Sequence, residues 1–145
     1  MKRQALMILT TLSFLVMLTA TSVYAQSSTA LVANIPFEFV IGNRAFPAGE
    51  YTFTNRFTNV IQIQSLDRGE SMFVLTGPVK AKKTRNELRF NRYGDKYFLS
   101  RLRTDGDDAG RAVRMSSSER ELIQAKSGMA KSSSEPQIVS ITAHR

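Results

Sequence analysis

The chain has no cysteine and no tryptophan, and its only histidine is His144, one residue from the end. Without a thiol there is no disulfide, no thiolate nucleophile and no cysteine for a lipid anchor. A single terminal imidazole leaves zinc sites of the usual ligand sets, and Ser-His or Cys-His catalysis, without their essential groups. Glycine is sparse and scattered: Gly42, Gly49, Gly69, Gly77 and Gly94 are spaced like turn residues, not clustered to cradle a phosphate. Beyond the first residues no stretch is long and apolar enough to cross a bilayer as a helix. No cofactor is expected.

What is present begins with a three-part opening. Lys2 and Arg3 form a positive segment, Ala5 to Ala20 an apolar one, and Val23-Tyr24-Ala25 a small-residue cleavage site. This is the order of a secretory signal peptide over 1–25, with cleavage leaving Gln26 at the new N-terminus. An uncleaved anchor is the alternative, but Thr10, Thr11, Ser13 and Thr19 dilute the stretch below the roughly 20 apolar residues a spanning helix needs. Removing 25 residues from 145 leaves 120, which suits a single β-rich domain over 26–145. Such a protein is expected in the periplasm or outside the cell, with its stability resting on its core alone.

From Leu31 to about Arg114 the pattern is one of strands. Ile35, Phe37, Phe39 and Ile41 alternate with Pro36, Glu38 and Val40. After Gly42-Asn43 and the turn Pro47-Ala48-Gly49, Tyr51 and Phe53 share a face; Ile61 and Ile63 then oppose Gln62 and Gln64. Asp67 to Glu70 turns the chain into Ser71 to Thr76. The clearest hairpin joins Glu87–Tyr93 to Lys96–Arg103 through Gly94-Asp95, where Gly in the first central position suits a type II′ turn. That register sets Tyr93 against Lys96, Phe90 against Leu99 and Leu88 against Arg101, and puts Phe98 and Leu102 on the opposite side. A sheet covered on both faces follows, as in a barrel or sandwich.

The composition changes after Arg114. Ser118 as cap and Glu121 as its capping-box partner predict a short helix to about Lys126. A polar linker follows near 127–136, and then Gln137 to Ala143 returns to strand composition, with Val139 and Ile141 sharing the inward face. The fold class expected is all-β: a small antiparallel barrel or sandwich of six to eight strands with one short helix.

Charge is distributed unevenly. The chain has 20 basic and 12 acidic residues, and loss of Lys2 and Arg3 leaves +6. Between Lys80 and Arg103 lie nine cations, Lys80, Lys82, Lys83, Arg85, Arg89, Arg92, Lys96, Arg101 and Arg103, against only Glu87 and Asp95. That segment carries +7 and the remainder of the exported chain −1. The first eight are the candidate site for an anionic partner, such as anionic lipid or acidic polysaccharide. Export makes cellular nucleic acid an unexpected partner. The plainer reading is a solvated basic face that maintains solubility.

Other chemistry is weakly supported. Glu38 and Glu50 flank the first turn as a conceivable acid-base pair, but both fall on the polar alternation of their strands. Asp105-Gly106-Asp107-Asp108-Ala109-Gly110 begins like a calcium loop, yet Ala109 stands at the fifth position and Ser116 at the twelfth, where a bidentate Glu belongs. Aromatics interleaved with cations, Phe90, Tyr93, Tyr97 and Phe98 among Arg89, Arg92 and Lys96, either stack on planar ligands or form core.

Two segments carry a family resemblance. Ile35-Pro36-Phe37-Glu38-Phe39-Val40-Ile41-Gly42, continuing through Pro47-Ala48-Gly49-Glu50-Tyr51, and Arg92-Tyr93-Gly94-Asp95-Lys96-Tyr97-Phe98-Leu99-Ser100, with Ser118 to Leu122, resemble a group of small exported proteins of acidobacterial soil bacteria. The resemblance implies a bacterial source and an envelope or secreted location. It carries over no activity and no site residue. Three functions from different classes follow as expectations: a non-catalytic envelope protein with a basic binding surface, a small barrel holding an apolar ligand inside, and an enzyme of unfamiliar type.

Overall fold

The computed structural model describes residues 30–80, 85–104, 109–129 and 135–145. The expected signal peptide therefore lies outside the described residues, as do Lys82, Lys83 and Asp105 to Asp108. Among the described residues ten strands and one helix are formed: β1 Ala30–Ile35, β2 Phe39–Ile41, β3 Arg44–Phe46, β4 Gly49–Phe57, β5 Val60–Ser65, β6 Ser71–Lys80, β7 Glu87–Tyr93, β8 Lys96–Arg103, β9 Ala109–Val113, α1 Ser117–Met129 and β10 Gln137–Thr142. The fold is all-β with a single helix. The count exceeds six to eight because the first expected strand is divided and β3 and β9 are separate short strands.

The division occurs at Pro36, which has no N–H to give a ladder. Upstream of it β1 pairs with β4; downstream β2 pairs with β3 and, in parallel, with β8. The two-residue period nevertheless continues across the break. Ile35, Phe39 and Ile41 are buried, and Phe37 packs against them.

Neighbouring strands run β1-β4-β5-β6-β9-β8, with β7 on the other edge of β8 and β10 beyond β7. One edge of β8 is shared: Arg101 and Leu102 pair with β9, while Tyr97 and Phe98 pair with β2. The two ends of this series meet at one point, where Val32 N–H donates to the His144 carbonyl and His144 N–H to the Val32 carbonyl, each at 2.8 Å. The ring is thus joined by a single bridge and not closed by a ladder.

The interior is filled by side chains. Phe39 lies 5.5 Å from Phe46, 5.0 Å from Tyr51 and 5.6 Å from Phe90, centroid to centroid, the last two edge to face. Leu31, Ile35, Ile61, Ile63, Leu88, Leu99 and Leu102 complete the cluster. Each large apolar side chain so buried contributes about 1.5–3 kcal/mol. At one end Tyr51 Oη donates to the Pro47 carbonyl at 2.7 Å, and burial raises the Tyr51 phenol above its ordinary value against the opposing charge of Arg68.

The β7–β8 hairpin keeps the expected register from Tyr93/Lys96 to Phe90/Leu99 and then departs from it. Leu88 faces Leu102, not Arg101. Ser100 forms a bulge, its Oγ donating to the Arg89 carbonyl at 3.0 Å. One extra residue reverses the alternation, so Leu99 and Leu102 both point inward while Arg101 turns outward. Phe98 does lie on the outer face, where α1 covers it.

The helix start is also displaced from expectation. Ser116, not Ser118, is the cap: the Glu119 N–H donates to Ser116 Oγ at 3.0 Å. The helix continues past Lys126 to Met129. The C-terminal strand pairs along β7, with Val139 and Ile141 half-buried and Ile138 exposed.

Candidate functional site

Six of the eight candidate cations are among the described residues, and they fall in three places. Lys80, at the end of β6, and Arg85, before β7, are both exposed at the end of the ring opposite the β7–β8 turn. Arg92 and Lys96 lie at that turn. Arg92 is occupied there: its Nε donates to the Gly94 carbonyl at 2.8 Å, and its guanidinium lies 5.3 Å from the Tyr97 ring centre. Only Arg89 and Arg101 are brought side by side, directly opposite each other on adjacent strands.

The bulge creates this pair. By restarting the alternation at Arg101 it sets both guanidiniums on the outer face, where they line an open cavity of about 280 Å³. Asn91, Ser100 and Glu119 supply its other polar walls, and Val113, Met115 and Ile138 its apolar ones. α1 and β10 flank it. Like charges directly opposite in a sheet destabilise it. Part of that cost is offset by Glu87, whose Oε1 lies 3.2 Å from Arg89 Nε and whose Oε2 lies 3.5 Å from Arg103. Burial pushes the Glu87 carboxyl upward, but hydrogen bonds from Ser140 and Arg89 and the charges of Arg89 and Arg103 outweigh it and hold the group below its ordinary value. Among the described residues no carboxylate pairs with Arg101, which is exposed.

One cavity wall is a buried polar network. Glu119, 4% exposed, accepts from Asn91 Nδ2 at 2.9 Å and from Tyr93 Oη at 3.2 Å. Burial and the adjacent Glu119 carboxylate push the Tyr93 phenol up to about 12. Tyr93 also packs edge to face on Phe98, 5.9 Å away, so this network fixes α1 on the sheet. It organises the cavity's edge and leaves its cations facing outward.

The remaining chemical candidates are not assembled. Glu38 and Glu50 are exposed, and their neighbouring strands β2 and β4 do not pair with each other. Among the described residues no cluster of three His, Asp or Glu side chains is placed to hold a metal ion. Phe90 is core, Phe98 lies under α1, and Tyr97 stacks 3.9 Å from Phe37. No described helix is long and apolar enough to cross a membrane. Asn91, Glu119, Met115 and Ile138 escape sequence reasoning because they come from three elements joined only by the fold. No protein-family model matches the chain, and neither the curated proteins nor the solved structures include a significant match.

Proposed function

We propose that the chain is exported through its N-terminal signal and acts without catalysis, as an envelope or secreted protein that binds an anionic partner. The observation that carries this reading is the Arg89–Arg101 pair, two like charges opposed on the outer face at the floor of an open cavity. Stability does not call for such a pair. A carboxylate, phosphate or sulfate group accepted by both guanidiniums relieves their repulsion and gains charge-assisted hydrogen bonds. The positive charge of Lys80, Lys82, Lys83 and Arg85, close in sequence to this pair, adds a longer-range attraction for anions. The filled interior favours this basic exterior over an apolar ligand held inside the ring.

The test is retention on immobilised heparin and co-sedimentation with phosphatidylglycerol vesicles at low and high salt. Arg101→Gln should weaken binding several-fold without lowering thermal stability. The combined Lys80→Gln, Lys82→Gln, Lys83→Gln and Arg85→Gln protein should bind still more weakly and show a shallower salt dependence. Equal retention of wild type and both variants on every anionic surface overturns the proposal.

A further inference from the structure

A second surface, on the far side of β9 from the arginine pair, has a different character. On the outer face of β4, β5 and β6, Phe57, Phe73 and Leu75 are exposed by 72%, 60% and 65%. Cross-strand pairing holds them together: Phe57 opposes Val60, Val60 opposes Leu75, and Phe73 opposes Gln62 on the adjoining rung. The sheet itself is rigid here, because Val74 and Ile61 on the opposite face are buried in the core. Isolated exposed apolar residues are ordinary, but three large ones on one firmly built rung system form a patch that water disfavours.

The charge around the patch identifies what covers it. β5, β6 and β9 contain no Asp or Glu, and the one acid of β4 is Glu50, at the end away from Phe57. The acids of the β5–β6 turn, Asp67 and Glu70, lie at that same far end, Glu70 paired with Arg44 at 3.0 Å, and the ions beside Phe57 and Leu75 are cationic. Arg56 lies beside the patch, its Nε donating to Gln62 Oε1 at 2.6 Å. Arg114 lies on the other side, lining with Leu75 and Gly77 a shallow cavity of about 270 Å³. Lys80 ends the same strand as Phe73 and Leu75. Apolar side chains flanked by Arg56 and Arg114, on strands whose only acid is Glu50 at the far end, complement an anionic lipid surface, where headgroup charge meets the cations and the acyl boundary takes the rings. A second copy of the chain fits less well, since a self-complementary contact centred on this patch gathers Arg56 and Arg114 from both copies, and β5, β6 and β9 carry no acid to pair them.

We infer that Phe57, Phe73 and Leu75 form a docking face that inserts into the interface of an anionic bilayer, with Arg56 and Arg114 at the headgroups. The two cavities share only the Ala112–Val113 stretch of β9 between them, and none of Phe57, Phe73, Leu75, Arg56 and Arg114 lines the Arg89–Arg101 cavity, so the two can be tested separately. The absence of tryptophan makes the experiment direct. Phe73→Trp places a single indole at the centre of the patch. On titrating the processed protein with phosphatidylglycerol vesicles, its emission should shift to the blue and be quenched by lipids brominated near the top of the acyl chain; phosphatidylcholine vesicles should give a much smaller shift. Phe73→Ser combined with Leu75→Ser, both at exposed positions, should keep the wild-type melting temperature and lose at least about tenfold in vesicle affinity. Heparin retention should be unchanged in that variant, whereas Arg101→Gln should lower heparin retention and leave the indole shift in place. An indole that stays solvent-exposed on anionic vesicles, or a double variant that partitions like wild type, overturns the inference. So does a blue shift without lipid that rises with protein concentration alongside dimer formation in sedimentation, which would assign the face to a second copy.

Discussion

Glu119 shows how one residue couples sequence, packing and chemistry. Its backbone N–H is capped by Ser116 at the start of α1, and its carboxylate accepts from Asn91 and Tyr93 on β7. Removing the acceptor leaves the buried Tyr93 donor without a partner, at about 1–3 kcal/mol, and the half-buried Asn91 donor at less. Glu119→Ala should therefore lower the melting temperature by several degrees, and Glu119→Gln, which keeps a carbonyl acceptor, by less. Tyr93 gives an independent reading of the same contact. Its phenol is raised to about 12 in the folded chain, first by burial and then by the Glu119 carboxylate. Folding thus favours the protonated phenol: the stabilisation is complete below about pH 10, the ordinary tyrosine value, and is lost as pH rises toward 12. Tyrosinate absorbance should show Tyr51 and Tyr93 titrating late, and the later of the two steps should be abolished by Tyr93→Phe and moved to lower pH by Glu119→Gln. An unchanged titration in Glu119→Gln would detach the phenol from the helix.

Among the elements, the hairpin and the helix show where sequence patterns suffice and where they stop. Gly94-Asp95 fixes the β7–β8 register at the turn, and Gly94 adopts the left-handed backbone, φ 65°, that the two-residue loop requires. Four rungs follow as alternation dictates. The bulge at Ser100 is not legible, because a local alternation of apolar residues does not say where one extra residue will be absorbed. It is that bulge which opposes Arg89 to Arg101, so the charge of the site was legible and its geometry was not. The helix is a similar case. Ser116, Ser117 and Ser118 offer three successive caps, of which Ser116 and Ser118 each have a glutamate three residues on, and only docking of Glu119 against β7 selects the first. The terminal strand was legible in composition, period and facing. Deleting Gln137 to Arg145 removes the half-buried Val139 and Ile141 and the buried Ala143, and uncovers the edge of β7 over Leu88 and Phe90. With about 25 cal/mol lost per Å² of apolar surface exposed, the loss should reach several kcal/mol and the melting temperature should fall clearly. A truncated chain that melts like the full one would contradict the pairing.

At the scale of the whole molecule, the class of fold was legible because most expected strands, such as those around Phe39, Tyr51 and Ile61, carry their own two-residue period, whereas strand order was not, because partners such as β2 and β8 are distant in sequence and meet in parallel. The proposed export makes one prediction for the chain as a whole: mass spectrometry of the protein from its host should find Gln26 at the N-terminus, and an intact Met1 would refute processing. The ring makes another. Its two extreme strands, β1 and β10, lie at opposite ends of the described chain and touch through the reciprocal hydrogen bonds of Val32 and His144. Ala143 beside them is 4% exposed, and its N–H donates to the Asn86 carbonyl at 3.2 Å, so the last residues are held on two sides. Chain ends ordinarily fray, and a penultimate amide ordinarily exchanges with solvent at nearly its free rate. Here the amides of Val32 and His144 should be protected from hydrogen exchange together, opening as one unit because each bond depends on the same pair of strands. Replacing His144 by Pro removes one of the two donors and should release the Val32 amide as well, while leaving the protection of β5 and β6 intact. Free exchange at both positions in the wild-type chain would show that the sheet is open between β1 and β10, and that its stability owes nothing to the bridge.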